Sequence, residues 1–240
     1  MKLPSPLARG TLVQRYKRFL ADVKLENGEL VTATCPNTGS MLGLTQPGTI
    51  VWLSRSANPA RKYPYTWEMV ELAEGQATGW VGINTGNPNT IVAEAIAGRR
   101  IPELEGYSSV RREVKYGRNS RIDLLLEEPG RPRCYVEVKN VHLSRRRHVA
   151  EFPDCRTERG TKHLEELSAV ARGGDRAVMF YLIQRDDVRE MTLAADLDQA
   201  YAAGFASAVK AGVEALAYCC TLSETEIALD RPLPLKLECL

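Results

Sequence analysis

The stretch that decides the fold is SRIDLLL (residues 120–126), EEPGRPR (127–133) and CYVEVK (134–139). Two apolar runs flank a polar loop carrying Pro129, Gly130 and Pro132, which reads as two β-strands joined by a turn. Side chains alternate faces along a strand, so Tyr135, Glu137 and Lys139 share one face and Val136 and Val138 the other. By the same alternation, Ile122, Leu124 and Leu126 lie opposite Asp123. A hairpin symmetric about Gly130 sets Asp123 directly across from Glu137. Carboxylates so placed have Cβ atoms roughly 4.5–5.5 Å apart and destabilise a sheet. A divalent cation between them removes the conflict, and Mg²⁺ characteristically takes one or two carboxylates and keeps several waters. Lys139, beside them, could position an attacking water or stabilise charge developing on a phosphate.

This D…ExK pattern resembles the metal-dependent nuclease superfamily named for its PD-(D/E)xK motif. The same spacing also describes an ordinary solvated strand face, so the surroundings must decide between the two. Net charge is only +2, which by itself implies no nucleic-acid partner. Its distribution says more: between Arg111 and Arg147 there are eleven Lys or Arg against five Asp or Glu. The basic residues there include Arg111, Arg112, Lys115, Arg118, Arg131, Arg133 and the run Arg145-Arg146-Arg147. A cationic patch around paired acids is the electrostatic footprint expected of a protein that meets a phosphate backbone. A solvated loop with spare arginines is the alternative.

The chain divides by pattern into residues 1–84 and 85–240. The first part reads as short strands separated by turn residues. Thr11 to Lys24 alternates as one long curved strand. Asn27-Gly28 marks a hairpin turn before Leu30 to Cys35. Thr49 to Arg55, Pro64 to Leu72 and Thr78 to Ile83 follow. About five short strands suggest a small barrel of the OB type. Arg15, Lys17 and Arg18 interleave with Tyr16 and Phe19, and Arg61 and Lys62 sit on the proline-rich loop NPARKYPY. Basic and aromatic residues together suit contacts with phosphates and stacked bases.

From Gly86 helix and strand alternate. Pro88 opens a helix that Gly98 ends, with Ile91, Val92, Ala95 and Ile96 as its apolar face. Glu94 falls away from that face and reads as solvated. Ser108 to Tyr116 and the two key strands come next, then a long loop to about Thr157. A helix from Arg159 to Ala171, the doubly buried strand Ala177 to Gln184, an alanine-rich helix from Leu197 to Gly212 and two closing strands complete an α/β domain with a mixed sheet. No run of about 18 apolar residues calls for a membrane span. The N-terminus lacks the apolar core of a signal peptide. The six cysteines, none in a C-x-x-C arrangement, are expected to be reduced and mostly buried in a cytoplasmic protein. The three histidines show no zinc spacing.

Nearly the whole chain resembles the sugar fermentation stimulation protein family. The residues that carry the likeness are RYKRFLADV (15–23), CPNTGSM (35–41), GINTGNPN (82–89), SRIDLLL (120–126), YVEVKNV (135–141), FPDCRTERGTKHL (152–164) and FYLIQR (180–185). The resemblance implies an OB-like barrel followed by a PD-(D/E)xK nuclease-like domain, DNA binding, and a link to the regulation of sugar catabolism. Asp123, Glu137 and Lys139 match the nuclease motif, with Ile122 where the namesake proline would stand. Nucleases of this type often add a glutamate from the first helix, and Glu94 is the positional match. The expected cofactor is Mg²⁺ or Mn²⁺, held by Asp123, Glu137 and Glu94. Thr157, Arg159, Lys162 and His163 open the next helix, whose N-terminus favours phosphate oxygens. They are candidate substrate contacts, with capping as the alternative. The competing expectations are a nuclease, a non-catalytic DNA-binding transcriptional regulator, and a single-strand binder working through the barrel.

Overall fold

The computed structural model describes residues 1–72, 79–117 and 120–236. Thr78, Arg118 and Cys239 lie outside the described residues. The first sheet contains β1 (Ala8–Tyr16), β2 (Leu20–Leu25), β3 (Leu30–Thr34), β4 (Ile50–Arg55), β5 (Tyr65–Leu72) and β6 (Gly79–Gly82) in the order β3-β2-β1-β4-β5-β6. A parallel pairing of Ala33 with Tyr65 joins β3 to β5, closing five strands into a barrel, and β6 extends from β5. Trp67, Leu12, Leu53 and Met41 fill its interior.

The expected single strand from Thr11 to Lys24 is instead two. Lys17 and Arg18 take positive φ values of 50° and 63°, and β1 and β2 pair antiparallel on either side. Neither glycine nor proline marks this turn in the sequence. The Asn27-Gly28 turn does carry its signal. Gly28 sits at φ 86°, and the Asn27 side-chain oxygen accepts the Glu29 N–H.

The second part is built on a sheet ordered β15-β14-β12-β9-β8-β7. Its strands are β7 (Ser109–Tyr116), β8 (Ser120–Glu127), β9 (Cys134–Val141), β12 (Arg176–Ile183), β14 (Glu214–Leu222) and β15 (Ile227–Pro232). The central strands β9, β12 and β14 are parallel, and hairpins extend the sheet at both edges. Helix α1 (Pro88–Ala97) covers one face with Ile91, Val92 and Ala95. Helices α2 (Glu158–Arg172) and α3 (Gln199–Lys210) cover the other with Leu164, Leu167, Tyr201 and Phe205. Burial on both faces explains the unbroken apolar run of β12. Thr157, one of the candidate substrate contacts, caps α2 by accepting the Gly160 N–H at 3.0 Å.

The expected loop before α2 contains two short strands, β10 (Leu143–Arg146) and β11 (Val149–Phe152). With β13 (Glu190–Leu193) they form a third sheet, ordered β10-β11-β13. Neither LSRR nor VAEF alternates polar and apolar residues, so β10 and β11 carry no period-of-two signal. The N-terminus crosses to the second part, where Leu3 N–H meets the Thr225 carbonyl and its side chain joins the α1 core. No helix among the described residues is long and apolar enough to cross a membrane. Among the same residues five cysteines are free; four are buried and Cys155 is exposed.

Candidate metal centre

The register of the β8–β9 hairpin is centred on Gly130, pairing Leu126 with Cys134, Leu125 with Tyr135 and Leu124 with Val136. The next two residues, Asp123 and Glu137, leave the ladder. Asp123 turns its carboxylate to the backbone instead, accepting the Val138 N–H at 2.8 Å on Oδ2. Its Oδ1 accepts from Asn89 Nδ2 at 2.7 Å. Across from it, Glu113 on β7 adopts φ 54°. These breaks also flip β8 about its axis. Leu124 and Leu126 stay in the core beneath α1, whereas Ile122 joins the core beneath α2. Strict alternation had placed all three together; a side chain that substitutes for a ladder acceptor breaks the period.

Glu137 is 2% exposed and lies on the α2 face of β9. Its Oε1 accepts from Lys139 Nζ at 2.8 Å and contacts His163 Nδ1. Lys139 Nζ is also 3.1 Å from His163 Nδ1. Arg159 Nε points at His163 Nε2 from 3.3 Å. A guanidinium only donates and a carboxylate only accepts, so Arg159 at Nε2 and Glu137 at Nδ1 together assign the imidazole proton to Nδ1. Glu137 Oε2 is buried and has no hydrogen-bond partner among the described residues.

The two acids titrate in opposite directions. Burial raises the Asp123 pKa, and the Glu137 charge raises it further, against the Val138 and Asn89 hydrogen bonds. Burial also works against ionised Glu137, but His163 and Lys139 outweigh it and hold that carboxyl below its ordinary range. A pair of carboxyls pushed apart in this way is a recurrent property of reactive sites.

The donor set suits a hard divalent cation bound partly through water. A buried carboxylate oxygen without a partner is costly unless a cation or water satisfies it. Among the described residues no three His, Cys, Asp or Glu side chains close around one point. Two carboxylates with waters remain enough for Mg²⁺ or Mn²⁺.

Glu94 does not join this group. Its carboxylate pairs with the Met1 amino group at 2.8 Å and is half-exposed. Asn89 is the α1 residue that reaches Asp123. Five residues of helix turn a side chain through about 500°, leaving Glu94 about 140° from that direction. Asn89 Nδ2 lies 3.4 Å from Glu113 Oε1 as well, so a third acid neighbours the site. Neither Asn89 nor Glu113 carries a signal in the sequence that would single it out.

The expected nucleic-acid contacts divide. His163 is buried at 4% exposure against Glu137 and serves the acids rather than a substrate surface. Arg15 donates to the carbonyls of Arg18, Asn37 and Gly39 at 2.8–2.9 Å, which pins the CPNTGS loop to the β1–β2 turn. Arg145 is bound to Glu151 and Asp196, and both acids raise its pKa. Arg159 is drawn to His163, and Lys162 lies 3.8 Å from Glu166. Lys17 and Arg18 are exposed at the turn with half-exposed Phe19. Arg61 donates to Thr34 Oγ1 at 2.9 Å, Lys62 lies over the Tyr63 ring, and Arg146 is exposed at the end of β10.

The barrel and the acid-bearing domain meet at Asp154. Asp154, just after β11, accepts from Ser40 Oγ at 3.1 Å and from the Met41 N–H at 3.2 Å. His142 Nε2 is 3.4 Å away. Burial opposes ionisation of Asp154, but His142 and the Met41 N–H hold its pKa well below normal. A Cβ on Gly39 would stand 2.8 Å from the Asp154 carboxylate, so the loop can approach this closely only with glycine there.

Fold and site together define a class: an OB barrel joined to a mixed α/β sheet domain that presents an Asp–Glu–Lys cluster. Residues 13–83 match the family model for the SfsA N-terminal OB domain. Residues 86–226 match that for the sugar fermentation stimulation protein RE domain. The chain belongs to the sugar fermentation stimulation protein family. It is 60% identical over 235 residues to the homolog from Rhodospirillum centenum, spanning 98% of this chain and 99% of that one. It is 58% identical to the homolog from Agrobacterium fabrum, over 96% and 95% of the two chains. Among solved structures it is similar to Pyrococcus furiosus SfsA in complex with Ca²⁺. The TM-score there is 0.86 at 27% identity, over 98% of each chain.

Proposed function

We propose that this chain is a DNA-binding protein with a divalent-metal-dependent phosphodiesterase site at Asp123, Glu137 and Lys139. The observation that carries this reading is the buried, unpartnered Oε2 of Glu137 beside the half-buried carboxylate of Asp123. The Pyrococcus furiosus relative is in complex with Ca²⁺, which supports the choice of a divalent cation as the cofactor. A bound Mg²⁺ or Mn²⁺ would supply an activated water and neutralise charge on the scissile phosphate. Asp123 and Glu137 Oε2 would hold it. The Val138 N–H and Asn89 fix Asp123 in direction. His163 and Lys139 both engage Glu137 Oε1, which leaves Oε2 as the free ligand atom. Lys139 Nζ, within reach of solvent, is placed to orient the attacking water or to meet the negative charge that grows on the phosphate. Lys17, Arg18, Arg61, Lys62 and Arg146 are the exposed cations assigned to the DNA backbone.

The second reading is a DNA-binding regulator of sugar metabolism genes that does not cleave. Glu94 turned from the acids, and the absence of a closed three-ligand cluster among the described residues, favour it. Plasmid, branched and single-stranded DNA and RNA incubated with Mg²⁺, Mn²⁺ or EDTA separate the two. Metal-dependent nicks or fragments that vanish in EDTA and in Lys139→Ala support the enzyme. Intact nucleic acid throughout, with DNA still bound, supports the regulator.

A further inference from the structure

Away from the acids, a recess of about 610 Å³ opens beyond the carboxyl end of β12. Ligands of open α/β sheets commonly bind outside the carboxyl ends of the strands, and this volume is that of a small-molecule site. Three guanidiniums from three chain segments line it: Arg147 from the β10–β11 turn, Arg189 ahead of β13, and Arg231 on β15. The side chains of Arg147 and Arg189 have no hydrogen bond or ion pair among the described residues. Arg231 is steadied by Asp230 and the Val188 carbonyl.

The acids of the recess are already engaged. Asp187 forms a buried ion pair with Arg185 at 2.7 Å. Asp186 accepts the Trp80 N–H at 2.9 Å. The wall is held in shape by His148, whose Nδ1 is 2.7 Å from the Asp187 carbonyl. Val188 and Leu233, both buried, give the recess an apolar side. Arg147 and Arg189 thus face the recess without a matching acid among the described residues, and phosphoryl oxygens are the groups a guanidinium holds best.

We propose that this recess binds a small phosphorylated organic anion, with Arg147, Arg189 and Arg231 on its phosphoryl oxygens and its apolar part toward Val188 and Leu233. Convergence on one recess, rather than a track of charges along the surface, favours a compact ligand over a nucleic-acid backbone. The proposal does not depend on the nuclease reading.

The test is titration calorimetry with pyrophosphate and with ATP, in EDTA and at fixed ionic strength. Saturable binding is expected, weakened about tenfold or more in Arg147→Ala and in Arg189→Ala, the loss of one charge-assisted contact. Both side chains are exposed and unpartnered, so both variants should keep the parent's melting temperature. Asp123→Asn should bind like the parent. No saturable binding of either probe, or binding unchanged in both arginine variants, would overturn the proposal. Binding lost in Asp123→Asn alone would overturn it by assigning the anion to the acid site. A 5′-phosphorylated oligonucleotide that binds through these arginines while neither small probe does would overturn it in favour of a nucleic-acid groove.

Discussion

Asp123→Asn separates charge from shape at the acid pair. In the folded protein the Asp123 pKa lies above its ordinary value of 3.8, first through burial and then through Glu137. A carboxyl of that kind opposes folding once it ionises. The penalty is absent below pH 3.8, grows as pH rises toward the folded pKa, and is complete above it. Asparagine removes the charge and keeps an oxygen for the Val138 N–H, while Asn89 can rotate its amide to face the new NH₂ group. Repulsion between opposed like charges is worth about 0.2–1 kcal/mol, partly offset by the weaker neutral hydrogen bonds. In EDTA at pH 7 the variant is therefore expected to equal or exceed the parent by up to about 1 kcal/mol, and the gain should vanish near pH 3.5. Mn²⁺ at a hundred times its dissociation constant should add about 2.7 kcal/mol to the parent and little to the variant. Urea unfolding at pH 7 and 3.5, with EDTA or Mn²⁺, gives all four values. A variant destabilised in EDTA that still gains from Mn²⁺ would refute the reasoning and make Asp123 a structural acid.

Glu137→Gln should act in the opposite sense. It keeps an oxygen for Lys139 and His163 but removes the charge that compensates Lys139 inside the protein, and should cost about 3 kcal/mol at pH 7, read from the urea midpoint. Because the Glu137 pKa lies below its ordinary 4.5, the parent's advantage is complete above pH 4.5 and fades as pH falls through the folded value. Glu94→Gln removes only a half-exposed ion pair with the Met1 amine. It should change stability by less than about 1 kcal/mol and leave the Mn²⁺-induced shift intact; loss of that shift would return Glu94 to the metal site. Arg15→Ala should cost about 2–3 kcal/mol through the carbonyls it abandons, with DNA affinity of the folded protein unchanged. Lys17→Ala and Arg18→Ala should leave stability within about 0.5 kcal/mol and each lower the salt dependence of DNA binding by about 0.7–0.9 in log–log slope.

Most of the architecture was legible because its signals are periodic and local. The β8–β9 register followed from the position of Gly130, and β12 from a run too apolar for any half-exposed strand. The β1–β2 turn was not, since its bend falls on Lys17 and Arg18, residues that rarely take positive φ and carry no turn signature. The sheet of β10, β11 and β13 was missed for a related reason. Its strands are four residues long, and the pairing of β11 with β13 joins segments about forty residues apart.

The site divides along a similar line. Asp123, Glu137 and Lys139 lie in one hairpin, where a period of two and one turn fix their relation. The groups that tune them come from helices, and a sequence does not report which side of a helix meets a given strand. Glu94 is an acid on the first helix and matches a familiar pattern by type. Asn89 is what the helix rotation presents to Asp123, one position after the proline that starts the first turn. His163 carries the same lesson with the opposite sign. Its place near the start of α2, among Arg159 and Lys162, suggested a phosphate contact. Arg159 and His163 are four residues apart and so lie on one side of the helix, but Arg159 stays exposed at its start while His163, a turn further on, is buried with Leu164 and Leu167 packed on the sheet beside it. The imidazole therefore meets Glu137 rather than solvent. An acidic pair in a hairpin can thus be read from its letters, whereas its ionisation is set by residues whose identity is legible and whose direction is not.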